Sequence, residues 1–158
     1  MRIIVAVLMI MLALPINGQE TIFNQEEQEV FDVVVKLFDG MRAGDSSMVH
    51  QCFAENVRMY TSSRGKDGEL TRVQEGKLGR FLTAVGTPHD QIWDEKIWNT
   101  KIDVEMGVAQ VWTDYAFYVG DKFSHCGIDA FQLIYEDGWK IIQLIDTRKK
   151  MNCEKPKE

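Results

Sequence analysis

The stretch FSHCGIDAFQLIYEDGWKIIQLIDTRKK, Phe123 to Lys150, decides how the whole chain is read. Two apolar runs flank Asp137-Gly138, and a D-G pair between such runs signals a β-hairpin. A two-residue turn sets residue 136 opposite 139, which brings Asp129 opposite Asp146 and Cys126 opposite Lys149. In the first run His125, Asp129, Phe131, Leu133 and Tyr135 stand at odd positions and therefore share one face. Asp146 and Arg148 lie near the end of the second run. The groups able to do chemistry are thus concentrated on one pair of strands.

Working back from the hairpin, the chain is all strand from Asp90. Val108–Val119 is rich in β-branched and aromatic residues. Ile92–Glu105 is longer, and its apolar parity changes: Trp93 and Ile97 are odd, whereas Trp98, Ile102 and Val104 are even. One extra residue flips the faces, so a β-bulge is expected near Ile97-Trp98. Ahead of these strands the period is helical. Asn24 and Glu27 form a capping box, and Val30, Val34, Leu37, Phe38 and Met41 make an apolar stripe over Gln25–Ala43. Gly44 ends that helix, and Asp45 caps a short second one carrying Met48, Val49, Cys52 and Phe53. Val57–Thr61 reads as a strand, Ser62–Glu69 as a polar turn, and Leu70–Val73 as a short returning strand. A third helix is expected over Gln74–Val85, closed by Gly86 and Pro88. Helices first and an antiparallel meander second make an α+β fold, in which a bent sheet wraps three helices and leaves an open mouth.

At 158 residues the chain holds one folded domain, and its 27% charged and 45% hydrophobic content is ordinary for a globular one. The net charge of −6, with no basic run, argues against nucleic-acid binding and against docking on anionic lipid. Residues 1–18 stand apart. Met1-Arg2 precedes an apolar run, Ile3–Ile16, with Pro15 as breaker and Asn17-Gly18 before a plausible cut at Gln19. That is the pattern of a secretory signal peptide, and the run is short against the roughly 20 apolar residues of a membrane span. The expected domain is therefore 19–150, with 151–158 as a charged tail, in a secreted or periplasmic protein with no stable membrane anchor after cleavage. Export permits disulfides. Cys52 reads as a buried small hydrophobe, while Cys126 and Cys153 are open between a bridge and two free thiols.

The order of elements and these residues together resemble the NTF2-like superfamily, including its SnoaL-like and ketosteroid-isomerase-like members. The resemblance covers Phe23–Lys150. It is carried by the elbow Met41-Arg42-Ala43-Gly44-Asp45, by Phe53-Ala54-Glu55-Asn56-Val57, by Asp121–Gly127 and by Gly138-Trp139-Lys140-Ile141, the last two similar to an exported bacterial branch. It implies a cone of three helices packed in a strongly curved, mainly antiparallel sheet, and homodimers formed through that sheet. In ketosteroid isomerases a carboxylate base follows the aromatic-Ala-acid start by eight residues; the matching position here is Thr61. The oxyanion-hole tyrosine falls on Leu37, and the third acid near Asp129. With the base and the tyrosine replaced, isomerisation of that type is not expected.

Several residues remain as candidates for a pocket. Asp129 sits among apolar neighbours in GIDAFQL, and a buried carboxylate must be paired, hydrogen-bonded or protonated. His125 shares its face and ionises near neutrality when unperturbed. These two are the candidate catalytic pair for acid–base chemistry, against the plainer reading of a structural Asp129–Arg148 pair and a surface histidine. Tyr60, Trp98, Trp112, Tyr115, Phe131 and Asp146 are the candidate ligand-binding residues, against an aromatic core. No nucleophile elbow, P-loop, zinc-protease or dinucleotide motif is present, so neither metal nor cofactor is expected. The functional expectation is a binder of a small, largely apolar molecule, with an acid–base enzyme using His125 and Asp129 as the alternative.

Overall fold

The computed structural model describes residues 22–64 and 69–154. The leader at 1–18 and the end of the tail at 155–158 lie outside the described residues. The elements in chain order are α1 (Gln25–Ala43), α2 (Ser46–Gln51), β1 (Phe53–Arg64), β2 (Leu70–Gly76), α3 (Leu78–Gly86), β3 (Trp93–Glu105), β4 (Val108–Val119), β5 (Lys122–Tyr135) and β6 (Trp139–Arg148).

Helix α1 begins and ends as its residues require. The Asn24 side chain accepts from the Glu27 amide at 2.9 Å, and the Asn24 amide donates to the Glu27 carboxylate at 2.8 Å. Gly44 closes the helix in the left-handed region at φ 67°, a conformation cheap only for a residue without Cβ. The stripe Val30, Val34, Leu37, Phe38 and Met41 is buried against the sheet. Each such side chain contributes about 1.5–3 kcal/mol on leaving water. Asp45 caps α2 by accepting from the Ser47 and Met48 amides, each at 2.9 Å. Cys52 is buried and free, and burial pushes its thiol up to about 11, so it behaves as a small hydrophobe. Its carbonyl accepts from the Ile141 amide at 2.8 Å, tying the helical hairpin to β6.

The six strands form one sheet in the order β2-β1-β6-β5-β4-β3. Strands β1 and β6 run parallel; every other neighbouring pair is antiparallel. The core lies between α1 and the inner face, where Phe38 meets Phe131 edge-on at 6.3 Å and Phe53 meets Phe81 at 6.4 Å. Among the described residues no helix is long and apolar enough to cross a membrane.

Several details differ from the sequence expectation: α2 ends at Gln51, and β1 takes in Phe53 and runs on through Ser62 to Arg64. Residues Gln74–Gly76 extend β2, pairing with Met59–Thr61, so α3 starts at Leu78 rather than Gln74. The β3 bulge falls one step later than Ile97-Trp98. Asn99 and Thr100 together oppose Thr113, with Asn99 at φ 52°, and the buried Thr100 and Thr113 hydroxyls bond each other at 2.8 Å. Finally, the β5–β6 turn has three residues, not two, since Tyr135 pairs with Trp139. A bulge at Ile142 then absorbs the offset, because Leu133 pairs with Ile141 while Gln132 pairs with Gln143. The two deviations cancel. Asp129 still opposes Asp146, and Cys126 still opposes Lys149.

The segment beyond β6 is fastened rather than frayed. Cys126 and Cys153 form a disulfide with S–S 2.06 Å and Cα–Cα 5.9 Å. The Cys126–Lys149 backbone bridge sets the distance by bringing the chain back alongside β5 just before Cys153.

Candidate functional site

The mouth of the curved sheet holds a cavity of about 360 Å³. Its apolar wall comes from Leu37, Phe38 and Met41 of α1, Phe81 of α3, Met59 of β1 and Leu144 of β6. Its polar wall comes from the sheet: Thr61, Glu95, Tyr115, His125, Asp129, Asp146 and Arg148. Tyr60, with Glu75 to Lys77 and Arg80, completes the lining.

Parity puts these groups inside. On β4 the inner residues are Val111, Thr113, Tyr115 and Phe117, opposite Phe131, Asp129, Gly127 and His125 of β5. Gly127 allows β6 to approach: a Cβ there would lie 1.7 Å from the Thr147 carbonyl oxygen. That same carbonyl accepts from the Tyr115 hydroxyl at 2.8 Å, and the Thr147 hydroxyl accepts from the Ile128 amide at 3.0 Å. Tyr115 is thereby held against the cavity as a neutral phenol, its ionisation pushed up by burial and by the negative charge of Asp129, Asp146 and Glu95.

The carboxyls divide into two environments. Asp146 is well paired: the Thr61 hydroxyl donates to its Oδ1 at 2.5 Å and Arg148 Nε donates to its Oδ2 at 2.6 Å. Asp129 is 3% exposed and its Oδ2 meets no donor. What faces Asp129 is a second carboxyl, Glu95 of β3. Burial, reinforced by the charge and hydrogen bond of Glu95, holds the Asp129 carboxyl well above the usual range. Burial likewise pushes Glu95 up to about 7, with Asp129 as its hydrogen-bond partner. Two buried carboxyls that hydrogen-bond each other hold on to protons more strongly than exposed ones, and both are raised here.

His125 lies on the cavity wall with its Nδ1 2.9 Å from the Ser124 hydroxyl. Its ring packs against Tyr115 at 5.7 Å and Phe117 at 5.1 Å. Burial and, next, the Arg148 charge lower its ionisation to about 4, so the imidazole is neutral at physiological pH. It can accept or donate a hydrogen bond but is a weak base.

The structure therefore brings together five of the eight residues expected from sequence: Tyr60, Tyr115, His125, Asp129 and Asp146. The other three are placed elsewhere. Phe131 is buried in the core beneath Phe38 rather than on the cavity wall. Trp112 stands at an even position of β4, on the outer face, and is 55% exposed. Trp98 precedes the bulge rather than following it, so it faces outward with its register partner Asp114. The proposed Asp129–Arg148 pair is not formed; Arg148 binds Asp146. Glu95 was not anticipated, although a signal existed. It shares odd parity with Trp93 and Ile97, both packed on the core, and a carboxylate in an inward apolar register requires a purpose. Among the described residues no group of His, Cys, Asp and Glu is arranged to hold a metal ion.

The architecture is shared with solved structures. An NTF2-like protein of unknown function from Shewanella baltica matches with a TM-score of 0.59 over 83% of this chain and 99% of its own, at 18% identity. A protein of unknown function from Mycobacterium tuberculosis matches with 0.64 over 80% of this chain and 73% of its own, at 13% identity. A candidate scytalone dehydratase from Novosphingobium aromaticivorans matches with 0.61 over 79% and 85%, also at 13% identity. The chain thus has the NTF2-like fold, an α+β cone, as its sequence order implied. At these identities the likeness speaks for fold and not for activity. No family model matches the sequence, and no curated protein does.

Proposed function

We propose that this protein binds a small, largely apolar molecule in the cavity between α1, α3 and the sheet. The observation that carries this reading is the division of the cavity's lining. One wall is aliphatic and aromatic, and the other concentrates a few polar groups at fixed positions, which is how ligand sites combine affinity with orientation. The volume of about 360 Å³ suits a molecule of one or two rings. Titrating a panel of small aromatic compounds into isotopically labelled protein tests it. Shifts concentrated at Leu37, Phe81, Tyr115 and Leu144 are expected. Shifts scattered over the outer surface, or none, would remove the reading.

A second reading, an acid–base enzyme, has one observation in its favour. Glu95 ionises near neutrality inside the cavity, which suits a group that must both take and give a proton. In that case Glu95 and Asp129 form the acid–base pair, and His125 serves as a neutral hydrogen-bonding group. Turnover in an isomerase, dehydratase and hydrolase screen that disappears in Glu95→Gln would favour it over simple binding.

We also read the protein as exported and as pairing with a second copy of itself. The leader pattern at 1–18 and the Cys126–Cys153 disulfide support an oxidising compartment. The exposed Trp112 on the outer sheet face supports self-association there. A monomer mass in sedimentation at micromolar concentration would contradict the pairing.

A further inference from the structure

Among the described residues one buried side-chain atom lacks a hydrogen-bond partner, and it stands beside well-paired groups. Asp146 has Thr61 and Arg148, the Tyr115 hydroxyl has the Thr147 carbonyl, and His125 Nδ1 has Ser124. Asp129 Oδ2 has nothing, although its residue is only 3% exposed, and it belongs to a carboxyl that lines the cavity beside Glu95. The deficit is one of donors. Asp129 Oδ2 is a buried oxygen with no donor, and the neighbouring Glu95 is a second acidic group and not a cation. A ligand carbonyl brings no donor. A ligand carboxylate adds a further negative charge. An alcohol brings one O–H. An ammonium brings two or three N–H groups and the opposite charge, and charge-assisted bonds of this kind are the stronger ones.

We infer that the polar end of the ligand is a protonated amine seated between Glu95 and Asp129, its apolar body lying against Leu37, Phe81 and Leu144. The inference rests on the small-molecule reading above and names the ligand's chemical class.

The surrounding charges agree with it. Asp94 on β3, Tyr115 on β4, His125 on β5 and Asp146 with Arg148 on β6 are the titratable groups near the pair. Arg148 is engaged by Asp146, and the imidazole and phenol are neutral. Asp129 Oδ2 has no hydrogen-bond partner, cationic or otherwise. Lys77 and Arg80 are exposed on the same cavity lining, and neither is among the charges acting on Glu95 or Asp129. Protons and amine compete for the same carboxyl oxygens, so the amine binds more tightly as the pH rises through neutrality, and its binding releases a proton.

Calorimetric titration with 2-phenylethylamine, 2-phenylethanol and phenylacetate, at pH 6 and pH 8, tests this on the purified protein. The expected result at pH 8 is an amine affinity at least about tenfold above that of the alcohol, with no measurable binding of the acid. The gap narrows at pH 6, and it closes in the double variant Glu95→Gln/Asp129→Asn, which keeps the side-chain shapes. Equal affinity of amine and alcohol at pH 8 overturns the inference while leaving the cavity as a binding site. So does an amine preference that survives in a folded double variant. If none of the three compounds binds, the small-molecule reading itself falls.

Discussion

Asp129 and Asp146 are direct register partners across β5 and β6, yet they occupy different chemical states. Asp146 is an ordinary ion-paired carboxylate, held by Thr61 and Arg148. Asp129 Oδ2 has no donor, and the carboxyl faces Glu95 with the Arg148 charge as the weakest influence on it. The difference arises because β6 carries Arg148 on the inner face two residues beyond Asp146, whereas β5 offers Asp129 nothing equivalent. Position in the sheet gave both the same depth; their neighbours decided their charge.

Replacing Glu95 by Gln should stabilise the protein at alkaline pH. A carboxyl whose folded ionisation lies near 7, against about 4.3 in the unfolded chain, opposes folding increasingly as pH rises from about 4 to 7. The penalty is complete above that window and absent below it. His125, lowered to about 4, acts in the opposite sense over its own window between about 4 and 6.5, which is why the comparison is made between variants. Urea unfolding should show Glu95→Gln more stable than the parent by about 3–4 kcal/mol at pH 8. The two should be nearly equal at pH 4. No difference at pH 8 would mean that Glu95 ionises normally.

Thr61→Val removes one donor from Asp146 and leaves the shape of the side chain. A hydrogen bond to a charged group at a partly buried site contributes about 1–2 kcal/mol. Equilibrium unfolding of the variant should show a loss of that size, with the melting transition still cooperative. A loss below a few tenths would mean that Arg148 alone suffices to hold Asp146.

Gly127→Ala should be among the most damaging single changes in the sheet. Its Cβ would have to occupy the place of the Thr147 carbonyl oxygen, which is backbone and also the acceptor of the Tyr115 hydroxyl. Overpacking of this kind costs about 1–3 kcal/mol or more. The readout is thermal unfolding together with the ring signals of Tyr115, which should move in the variant and stay in place in a control such as Ala130→Gly on the neighbouring outward position.

Reduction of Cys126–Cys153 should lower stability by about 3.5 kcal/mol, the loop-closure value for a separation of 27 residues. Melting with and without reductant, and the variant Cys153→Ser, measure it. Equal melting temperatures would show that the Cys126–Lys149 bridge holds the tail unaided.

Much of this was legible in the residues themselves. The extent of α1 follows from its cap, its stripe and Gly44, and the opposition of Asp129 and Asp146 from the Asp137-Gly138 turn. Yet that opposition is reached through a three-residue turn and a bulge at Ile142, and the change of inward parity from Ile141 to Leu144 is masked because Ile142 and Ile145 put apolar residues on the other face as well. Trp98 was placed wrongly within the site by one residue of bulge position, enough to send a side chain to the other face. Glu95 was missed for a different reason. A charged residue among charged neighbours in Trp93-Asp94-Glu95-Lys96 looks like a solvated surface until parity with Trp93 and Ile97 is weighed. The state of Asp129 depends on a residue two strands away, and such contacts exist only once the sheet has formed.

The account turns on the Glu95–Asp129 pair holding a proton inside the cavity. Carbon-13 NMR of the side-chain carboxyls, followed from pH 3 to pH 10, measures this directly. Glu95 should titrate near pH 7, and Asp129 should titrate well above the usual aspartate range. If both carboxyls lose their protons near pH 4, as exposed ones do, the pair is not a shared-proton site and the predicted change in amine affinity between pH 6 and pH 8 falls with it.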